Sequence, residues 1–289
     1  MATLSAVIVN YNGGTLLGRC VQSVLDSARV SILRVIVSDN ASTDGSVQAL
    51  RELVRDDRLC IVENGANIGF AAANNRALPG VAGDFIVFVN PDCVLEAAVL
   101  ARVLEVMEQN PQAGMAGCLL CNPDGSEQRG GRRLLPTPST ALERVLKFNR
   151  LIPGRQTGFD LAGTPLPAAP AEVEAISGAF MFVRKTALDA VGAMDEGYFL
   201  HCEDLDWCMR FRLAGWKILF VPDVKLIHAQ GSSSGNTPIA VEFHKHRGML
   251  RYYRKFHRSN EPLALSWLIT LAVWSRFAAK AIWFTVTKA

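Results

Sequence analysis

Two glycine-rich signatures of nucleotide-binding proteins are missing from the 289-residue sequence. It contains no Gly-x-x-x-x-Gly-Lys segment, and no Gly-x-Gly-x-x-Gly segment follows its first apolar run. The letters Gly-x-Ser-x-Gly occur at residues 231–235, but they run into Asn-Thr-Pro instead of the helix that a nucleophile elbow requires. The sequence therefore does not support a phosphate-loop enzyme, a dinucleotide-dependent oxidoreductase or an α/β-hydrolase.

The spacing of the cysteines shows no pairing pattern. The seven cysteines, an odd number, are scattered between residues 20 and 208, and Cys118-x-x-Cys121 has no second pair at zinc-site spacing. The first residues show no basic segment followed by an apolar run and a cleavage site, because a strand-like stretch, LSAVIVN, begins at residue 4. We therefore expect reduced, mostly buried thiols in a cytoplasmic protein.

Charge is unevenly distributed, although the formal net charge is +3. Residues 1–240 carry 21 Lys and Arg against 25 Asp and Glu, whereas residues 241–289 carry nine against two. An apolar share of 49% is ample for a packed core. We therefore predict a globular domain over residues 1–240 and a distinct basic tail over residues 241–289.

The first hundred residues alternate short β-branched runs with segments of helical periodicity. The predicted strands are residues 5–12, 33–42, 58–64 and 84–90, and the predicted helices are residues 15–28, 46–54 and 69–78. The strands are almost continuously apolar, as expected where helices cover both faces of a sheet. This pattern predicts an α/β fold with a mainly parallel sheet.

Polar residues follow each of the four predicted strands. They are Asn10-Tyr11-Asn12, Asp39-Asn40, Glu63-Asn64 and Asn90-Pro91-Asp92. Each group alone is compatible with a simple turn, where Asn and Asp are common. Because ligands in open parallel sheets bind beyond the carboxyl ends of the strands, the four groups together predict a ligand site.

After long Gly- and Pro-rich segments over residues 121–172, regular patterns return. They predict a strand and a helix over residues 173–192, a helix over 203–214, and two strands, 217–221 and 224–228, flanking Pro222. The helix opens with three acids in Glu203-Asp204-Leu205-Asp206, more than the helix dipole needs, so one of them is a candidate general base. His228, at a strand end, and Asp92 form a candidate site for manganese or magnesium, although a lone strand-end histidine is also typical of a surface or core position.

Taken together, several stretches resemble glycosyltransferase family 2, especially its rhamnosyltransferase-like branch, which builds bacterial cell-surface polysaccharides. They are VIVNYNGG (7–14), VSDNASTDGS (37–46), NIGFAAANN (67–75), FVNPD (88–92), residues 177–216, and VPDVKLIHAQGSS (221–233). The resemblance covers most of residues 5–235. It implies a GT-A fold, in which a Rossmann-like nucleotide-sugar half, about residues 1–120, is fused to an acceptor half, about residues 121–240.

The resemblance also implies an inverting transfer from a nucleotide-activated sugar, assisted by Mn2+ or Mg2+. Asp39 matches the acid that contacts the nucleotide base, with Asp44 a nearby member of the donor site. The other donor-site residues implied by the matching stretches are Asn10, Asn12, Asn67 and Asn74. In place of the family's Asp-x-Asp metal motif this chain has Asn90-Pro91-Asp92, so Asp92 is carried over as a metal ligand, Asn90 is not, and His228 is expected to complete the site.

Asp204 matches the family's catalytic base, with Glu203 as the fallback. No activated serine or cysteine is expected, since a single displacement needs no covalent intermediate. Arg132 and Arg133 lie in a Gly-rich segment and are candidate phosphate or acceptor contacts, or else part of a solvated basic run.

The tail joins a basic, aromatic segment (247–259) to an apolar one (263–286). One helical stripe contains Trp267, Leu271, Trp274, Ala278 and Ile282, and Arg276 and Lys280 are four residues apart. The pattern favours an interfacial helix on an anionic membrane surface at the inner face of the cytoplasmic membrane. A buried or dimerising helix pair is the alternative, and nucleic-acid binding is disfavoured because the second segment is too apolar.

The leading hypothesis is transfer of rhamnose from dTDP-rhamnose to a cell-surface or lipid-linked glycan. The resemblance leaves open transfer from a UDP-sugar by the same residues. It also leaves open a non-catalytic, glycan-binding or scaffold protein, since the first acid of the metal motif is missing.

Overall fold

The computed structural model describes residues 2–137, 159–229 and 238–287, with only the backbone of Asn260. The Gly-x-Ser-x-Gly letters at residues 231–235 lie outside these ranges. The amino-terminal strands are β1 (Thr3–Asn10), β2 (Ser31–Asp39), β3 (Leu59–Glu63) and β4 (Phe85–Val89), and helices α1 (Gly14–Leu25), α2 (Ser46–Leu53) and α3 (Phe70–Ala77) connect them. The predicted alternation of strands and helices is confirmed, with boundaries within about three residues.

The remaining elements of the sheet domain are shorter and more varied. The strands are β5 (Cys93–Leu95), β6 (Ala113–Cys121), β7 (Arg132–Arg133), β8 (Ala171–Glu172), β9 (Ala175–Ile176), β10 (Phe180–Arg184) and β11 (Lys217–His228). The helices are α4 (Val99–Gln109), α5 (Lys185–Val191) and α6 (Glu203–Leu213).

The main sheet has the order β3-β2-β1-β4-β10-β6-β11-β5, with β8 paired to β11. Strands β1 to β4 pair in parallel, as do β6 and β11, whereas β10 lies antiparallel between β4 and β6. The prediction of an α/β fold with a mainly parallel sheet is therefore confirmed. The antiparallel β10 is a feature of the tertiary structure that the alternating pattern does not reveal.

The two strands predicted around Pro222 are one strand, and that prediction was wrong in this detail. β11 runs through the proline, and its pairing with β6 shifts register between Val221 and Lys225. A proline has no N–H to donate, so the ladder skips this position with an irregularity instead of ending. The continuation carries His228 to the end of the strand, beside β5.

Hydrophobic residues pack on both faces of the sheet. Along β1, Ala6 and Ile8 belong to the cluster under α1, α2 and α4, while Val7 belongs to the cluster under α3, α5 and α6. Successive side chains of a strand point to opposite faces, so a strand covered on both sides has to be apolar throughout. This covered sheet holds the strand ends that carry the polar residues described below.

The tail forms two helices, α7 (Pro238–Phe256) and α8 (Leu263–Thr287), which pack as an antiparallel hairpin through Leu250, Tyr253, Ile269 and Val273. α8 has the length and mean hydropathy, 1.2, of a membrane-crossing helix, and 11% of its most apolar window is buried. Four members of the predicted apolar stripe are exposed: Trp267, Leu271, Ala278 and Ile282. The predicted helical extension is confirmed.

Candidate active site

A hydrogen-bonded network joins the carboxyl ends of β1 and β2. Asn10 is fully buried, and its side-chain amide donates to Asp39 Oδ1 at 2.8 Å, Ser42 Oγ at 2.9 Å and Ser46 Oγ at 3.0 Å. Asp39 Oδ1 also accepts from Ser42 Oγ at 2.6 Å, and its Oδ2 accepts from the Ser42 N–H at 3.0 Å. The fold therefore brings together two of the predicted donor-site residues, Asn10 and Asp39.

Asn12 and Asp44 tie the two loops that follow these strands. Asn12 has a left-handed backbone, φ 53°, and its Oδ1 accepts from the Thr43 N–H at 2.8 Å. Asp44 accepts from the Gly14 N–H at 2.7 Å and from Ser46 Oγ at 2.6 Å. Burial acts to raise the pKa of Asp44, but these hydrogen bonds outweigh it and hold the pKa below its usual value. The two loops therefore form one rigid edge.

The two remaining predicted donor-site residues lie next to α3. Asn67 Oδ1 accepts from Asn40 Nδ2 at 3.2 Å and from the Gly69 N–H at 3.1 Å, which connects it to the end of β2. Asn74 lies inside α3, is 1% exposed and donates to the carbonyl of Phe70 at 3.0 Å. Asn67 thus belongs to the polar edge, whereas the Asn74 amide is engaged within its own helix.

Asp92 and His228 meet at the end of the sheet. The antiparallel pairing of β5 with β11 places His228 opposite Cys93, and His228 Nε2 lies 3.1 Å from Asp92 Oδ1. Both side chains are buried. The fold therefore joins the two residues predicted as metal ligands, although 135 residues separate them in the sequence.

Gln128 fixes the orientation of the His228 ring. The Gln128 amide donates to the His228 carbonyl at 3.2 Å and to Asn122 Oδ1 at 3.1 Å, so its Oε1 faces His228 Nδ1, at 2.5 Å. Because a carboxamide oxygen only accepts, Nδ1 is the ring nitrogen that donates to Gln128, and Nε2 is the ring nitrogen that faces Asp92. Second-sphere carbonyl groups orient metal-binding histidines in this way.

These residues fit a divalent cation. Ligand atoms of Asp92, Cys93 and His228 lie within 4.8 Å of one another, and the carboxylate and the imidazole are the donor types that manganese accepts. Cys93 is fully buried, and its Sγ contacts the carbonyl of Ala179 at 3.5 Å. Asn90, in place of a first acid, has its side-chain nitrogen 3.5 Å from His228 Nε2. Asp92 is thus the one carboxylate of this group.

Asp204, the predicted base, accepts hydrogen bonds from three donors. Arg133 Nη2 donates to Asp204 Oδ2, which also accepts from the Gly178 N–H at 3.1 Å, while Oδ1 accepts from the Leu205 N–H at 2.8 Å. Arg133 Nη2 also donates to the carbonyl of Ile176 at 2.7 Å. Burial acts to raise the pKa of Asp204, but the Arg133 charge and these hydrogen bonds hold that pKa below its usual value. Asp204 is therefore ionised at neutral pH.

The other two acids of the cluster differ from Asp204. Burial, reinforced by the Asp204 charge, raises the pKa of Glu203 to about 8, and among the described residues Glu203 Oε2 has no hydrogen-bond partner. Asp206 is fully buried and binds Arg210 at 2.8 Å and Lys255 at 2.7 Å. The Lys255 contact joins α6 to α7, so Asp206 has a structural role.

Two consecutive residues, Gly178 and Ala179, connect the Asp92 and Asp204 clusters. The N–H of Gly178 binds Asp204, and the carbonyl of Ala179, the next residue, accepts from the Asn90 N–H at 3.0 Å. On the other side, the turn before α6 contains two left-handed residues, His201 (φ 69°) and Cys202 (φ 71°). Such conformations are uncommon outside glycine and tend to persist at functional sites.

The two predicted phosphate-binding arginines are adjacent in sequence but lie in different surroundings. Arg132 is 4% exposed, and its guanidinium binds Glu127 at 2.7 Å and the carbonyl of Thr164 at 2.7 Å. Arg133 points to Asp204 instead, because successive residues of β7 face opposite sides. Only Arg133 is brought to the candidate active site.

Gln128 and the partnership of Arg133 with Asp204 were not expected from the sequence. Gln128 lies in a Gly-rich segment whose composition resembles any polar loop, and its partner His228 is 100 residues away. No short-range spacing signal marks either contact. One feature of the sequence could have indicated these contacts. The segment between β6 and β7 is too long for a simple turn and is rich in polar residues, as is typical of a functional loop.

Comparisons with known proteins agree with this architecture. A family model described as Glycosyl transferase family 2 matches residues 5–163. The chain is 28% identical over 92% of its length to N-acetylglucosaminyl-diphospho-decaprenol L-rhamnosyltransferase of Mycobacterium tuberculosis, covering 89% of that protein. It is 24% identical over 92% of its length to dTDP-rhamnosyl transferase RfbF of Shigella flexneri, covering 83% of it.

A solved structure supports the fold. The mannosyltransferase PcManGT of Pyrobaculum calidifontis, in complex with GDP-Man and Mn2+, superposes with a TM-score of 0.61 at 18% identity. The match covers 97% of this chain and 75% of that one. The expected GT-A fold is therefore confirmed, as is the resemblance to the rhamnosyltransferase-like branch.

Proposed function

The chain belongs to glycosyl transferase family 2, and we propose that it transfers rhamnose from dTDP-rhamnose, with inversion, to a lipid-linked or cell-surface glycan. The observation that carries the proposal is that the dipeptide Gly178-Ala179 binds Asp204 through its first residue and, through its second, the turn in which Asp92 pairs with His228. This arrangement supplies a cation site and an ionised base on the two sides of one dipeptide. The named activities of two relatives support rhamnose as the sugar.

We propose that the edge formed by Asn10, Asn12, Asp39, Asp44 and Asn67 binds the nucleotide of the donor. Its carboxylates and amides are already positioned by one another, so little conformational entropy is lost when a nucleotide binds. The edge adjoins the Asp92 turn, since a Cβ on Gly13 would lie 3.5 Å from Pro91 Cβ and 2.5 Å from Asn10 Oδ1. Gly13 therefore allows the two loops to approach closely.

Asp92 and His228 would hold Mn2+ or Mg2+, with Gln128 holding the His228 ring. When bound, the cation supplies positive charge that stabilises the leaving nucleoside diphosphate. The lone pair of His228 Nε2 is available because Nδ1 donates to Gln128. Asn90 is not assigned as a ligand.

Asp204 would act as the general base. It removes the proton of the acceptor hydroxyl while that oxygen attacks the anomeric carbon and the bond from that carbon to the diphosphate oxygen breaks, so the configuration inverts. Arg133 and two backbone N–H groups occupy much of the carboxylate, and they fix its direction and keep it ionised. Glu203, with its pKa near 8, is protonated over much of the neutral range and is the weaker alternative.

The proposal also assigns a different binding partner to each of three segments of the chain. Residues 1–120 would bind the donor, residues 121–240 the acceptor, and residues 241–289 a membrane surface at the inner face of the cytoplasmic membrane. The exposed apolar side of α8 supports the last assignment, with Trp267 75% and Leu271 65% exposed.

Nucleotide binding tests the donor. Thermal unfolding is measured with dTDP and with UDP, each with and without manganese, and ligand binding to the folded state raises the midpoint. We expect the largest rise with dTDP and manganese, together with slow manganese-dependent hydrolysis of dTDP-rhamnose. A larger rise of the midpoint with UDP would indicate that the donor is a UDP-sugar and not dTDP-rhamnose. No response to either nucleotide would favour a glycan-binding protein without activity.

A further inference from the structure

The thiol of Cys93 lies beside the two residues assigned to the cation. In the antiparallel pairing of β5 with β11, Cys93 is directly opposite His228. Side chains of directly opposite residues project from the same face of a ladder. The next pair, Val94 and Ile227, faces the other way, and Ile227 is 41% exposed whereas Cys93 and His228 are buried. The ladder therefore directs the Cys93 thiol and the His228 ring to the same side.

The ligand atoms of these residues are close enough to share one ion. Cys93 Sγ, a carboxylate oxygen of Asp92 and a ring nitrogen of His228 lie within 4.8 Å of one another. Within residues 2–137, 159–229 and 238–287 this is the one group of three such ligand types at that spacing. Metal bonds to sulfur and nitrogen are about 2.3 and 2.0 Å long, which separates two ligands on one ion by about 3.5 Å. The ligand atoms therefore need to move by about 1 Å or less.

Backbone hydrogen bonds hold the three residues in this arrangement. The N–H of Cys93 donates to the carbonyl of Asn90 at 3.1 Å, which closes the turn that contains Asp92. The N–H of Ala229 donates to the carbonyl of Asp92 at 3.0 Å, so the turn is also attached to the end of β11 just after His228. Little conformational entropy is lost when an ion binds to groups that are already positioned.

A purely apolar role for Cys93 does not account for this arrangement. Cys93 is fully buried and belongs to the apolar cluster on one face of the sheet, as a small hydrophobic residue would. Its hydrogen bond is weak, since Sγ lies 3.5 Å from the carbonyl of Ala179. On the same turn, the buried Oδ1 of Asn90 has no hydrogen-bond partner among the described residues. Packing explains the burial of the thiol, but not its position beside a carboxylate, an imidazole and an unsatisfied amide oxygen.

We propose that Cys93 is a third protein ligand of the cation held by Asp92 and His228, and that it makes the site selective for thiophilic divalent cations such as zinc. This inference rests on the proposed function for the presence of a cation at Asp92, and it adds a ligand and a class of cation. A set of thiolate, imidazole and carboxylate is typical of zinc, whereas magnesium prefers oxygen ligands and retains its waters. The thiol would bind as the thiolate, with its proton released to solvent.

Charge balance supports a third ligand. Asp92 carries one negative charge, and Asn90, two residues before it, is neutral. A Cys93 thiolate adds a second negative charge, so the protein ligands neutralise a divalent cation. Three protein ligands with an open fourth position are the arrangement of catalytic zinc sites, and an oxygen of the donor diphosphate would take that position.

Cobalt is the probe that tests the inference without requiring turnover. A thiolate bound to Co2+ gives a strong charge-transfer absorption in the near ultraviolet, which oxygen and nitrogen ligands do not give. We expect a saturable band when the full chain, kept reduced by a reagent without thiols, is titrated with Co2+. Cys93→Ser should remove the band and weaken cobalt and zinc binding about 100-fold, at the upper end of the loss caused by removing a second-sphere partner.

Manganese binding by the same variant gives the selectivity. Zinc binds more tightly than manganese at most nitrogen and oxygen sites, so a preference for zinc alone would prove nothing. The informative quantity is the change that the substitution causes. Cys93→Ser should weaken manganese binding by about threefold or less, because manganese gains little from a soft ligand. Equal losses of cobalt and manganese affinity would mean that Cys93 is a packing residue, and would overturn the inference.

Cys20→Ser is the matched control. Cys20 is also fully buried, and its thiol donates to the carbonyl of Asn90 at 3.3 Å on the same turn, but it is not a member of the ligand group. This variant should keep the cobalt band. Cys93→Ala is a second variant, free of the buried hydroxyl, and the unfolding midpoint without metal reports whether each variant is folded. A band that persists in both Cys93 variants would overturn the inference.

The outcomes separate this inference from the proposed function. Manganese-dependent transfer of rhamnose by a chain that binds cobalt without a thiolate band would retain the transferase and reject Cys93 as a ligand. A thiolate band that depends on Cys93, in a chain that transfers no sugar, would retain the ligand and reject the transfer. Absence of cobalt binding would reject the cation site and, with it, the inference.

Discussion

The amino-terminal and carboxyl-terminal parts of the molecule differ in how completely their polar groups are paired. Ten buried side-chain nitrogen or oxygen atoms in the described ranges lack a hydrogen-bond partner. Two of them, on Asn64 and Asn90, lie before residue 121. The other eight lie after it, on Arg133, Glu203, Glu242, His244, His246, Tyr252, Tyr253 and His257.

The contrast is between a fully paired network around Asn10 and Asp39 and a part of the molecule, after residue 121, in which several buried polar atoms have no partner among the described residues. Around Asn10 and Asp39 the polar side chains are held by hydrogen bonds to their neighbours. An unpaired buried polar atom costs about 1–3 kcal/mol, so water or another partner is expected at these eight atoms. The four predictions below test the contrast, from the largest expected effect to the smallest.

Removing the Asp92 carboxylate should have the largest effect. Asp92→Ala deletes the one carboxylate of the cation group, and turnover should fall about 10³-fold or more because charge stabilisation of the leaving diphosphate is lost. The measurement is sugar transfer as a function of manganese concentration. Asn90→Ala is the matched control, and its turnover should fall less than about tenfold. Equal losses of turnover in the two variants would contradict the assignment of Asp92 as the metal ligand.

Asp204→Asn should reduce turnover by about 10²- to 10⁴-fold, the usual contribution of a general base. The amide cannot accept the proton, although it keeps the size of the side chain. Thermal stabilisation by dTDP should remain, because the donor edge does not include this residue, and it also reports that the variant is folded. Turnover close to that of the unaltered chain would contradict Asp204 as the base and would indicate Glu203 instead.

Gln128→Leu should weaken manganese binding about 10- to 100-fold, the usual effect of losing a second-sphere partner of a metal ligand. The leucine cannot accept from His228 Nδ1, so the ring loses its fixed proton position and orientation. Calorimetric titration with manganese in the presence of dTDP measures the effect. Gln109→Leu, at an exposed glutamine of α4, should leave the affinity unchanged; an equal loss there would indicate a non-specific effect.

The smallest effect concerns stability and pH. The raised pKa of Glu203 means that the folded chain holds a proton that the unfolded chain has released between about pH 4.5 and 8, so this residue lowers stability as the pH rises through that window. Glu203→Gln carries no such proton. Its unfolding midpoint relative to the unaltered chain should therefore rise more at pH 8 than at pH 5. A difference that is the same at both pH values would contradict the raised pKa.

Much of the fold was predictable because its signals are local. The alternation of apolar strands and amphipathic helices over residues 5–90 predicted the parallel part of the sheet, and the polar strand ends predicted the edge where Asn10 and Asp39 meet. The antiparallel β10 and the unbroken β11 were not predictable. Their pairing partners are distant in sequence, and a proline ordinarily marks a strand boundary.

Some features of the candidate site were likewise predictable from the sequence, and others were not. Asp92, Asp204 and His228 were named from residue type, position and resemblance, without any knowledge of Gln128 or of the Arg133 contact. Arg132 and Arg133 are equivalent in the sequence, and only the two-residue period of β7 sends one to Glu127 and the other to Asp204. The basic residues of α8, expected at a membrane surface, instead face α7.

The sequence by itself determined the α/β class, the helical tail and the identity of the chemical groups, because hydrophobic periodicity and side-chain chemistry are properties of short segments. The tertiary structure alone decided which of these groups have partners. Hydrogen bonds and ion pairs act over a few ångströms, and the chain brings Asp92 to His228 and Arg133 to Asp204 only after the whole sheet has formed. It also decided that α7, the basic helix of the tail, packs at Gly248 against the turn before Asp204 and so lies beside the candidate active site.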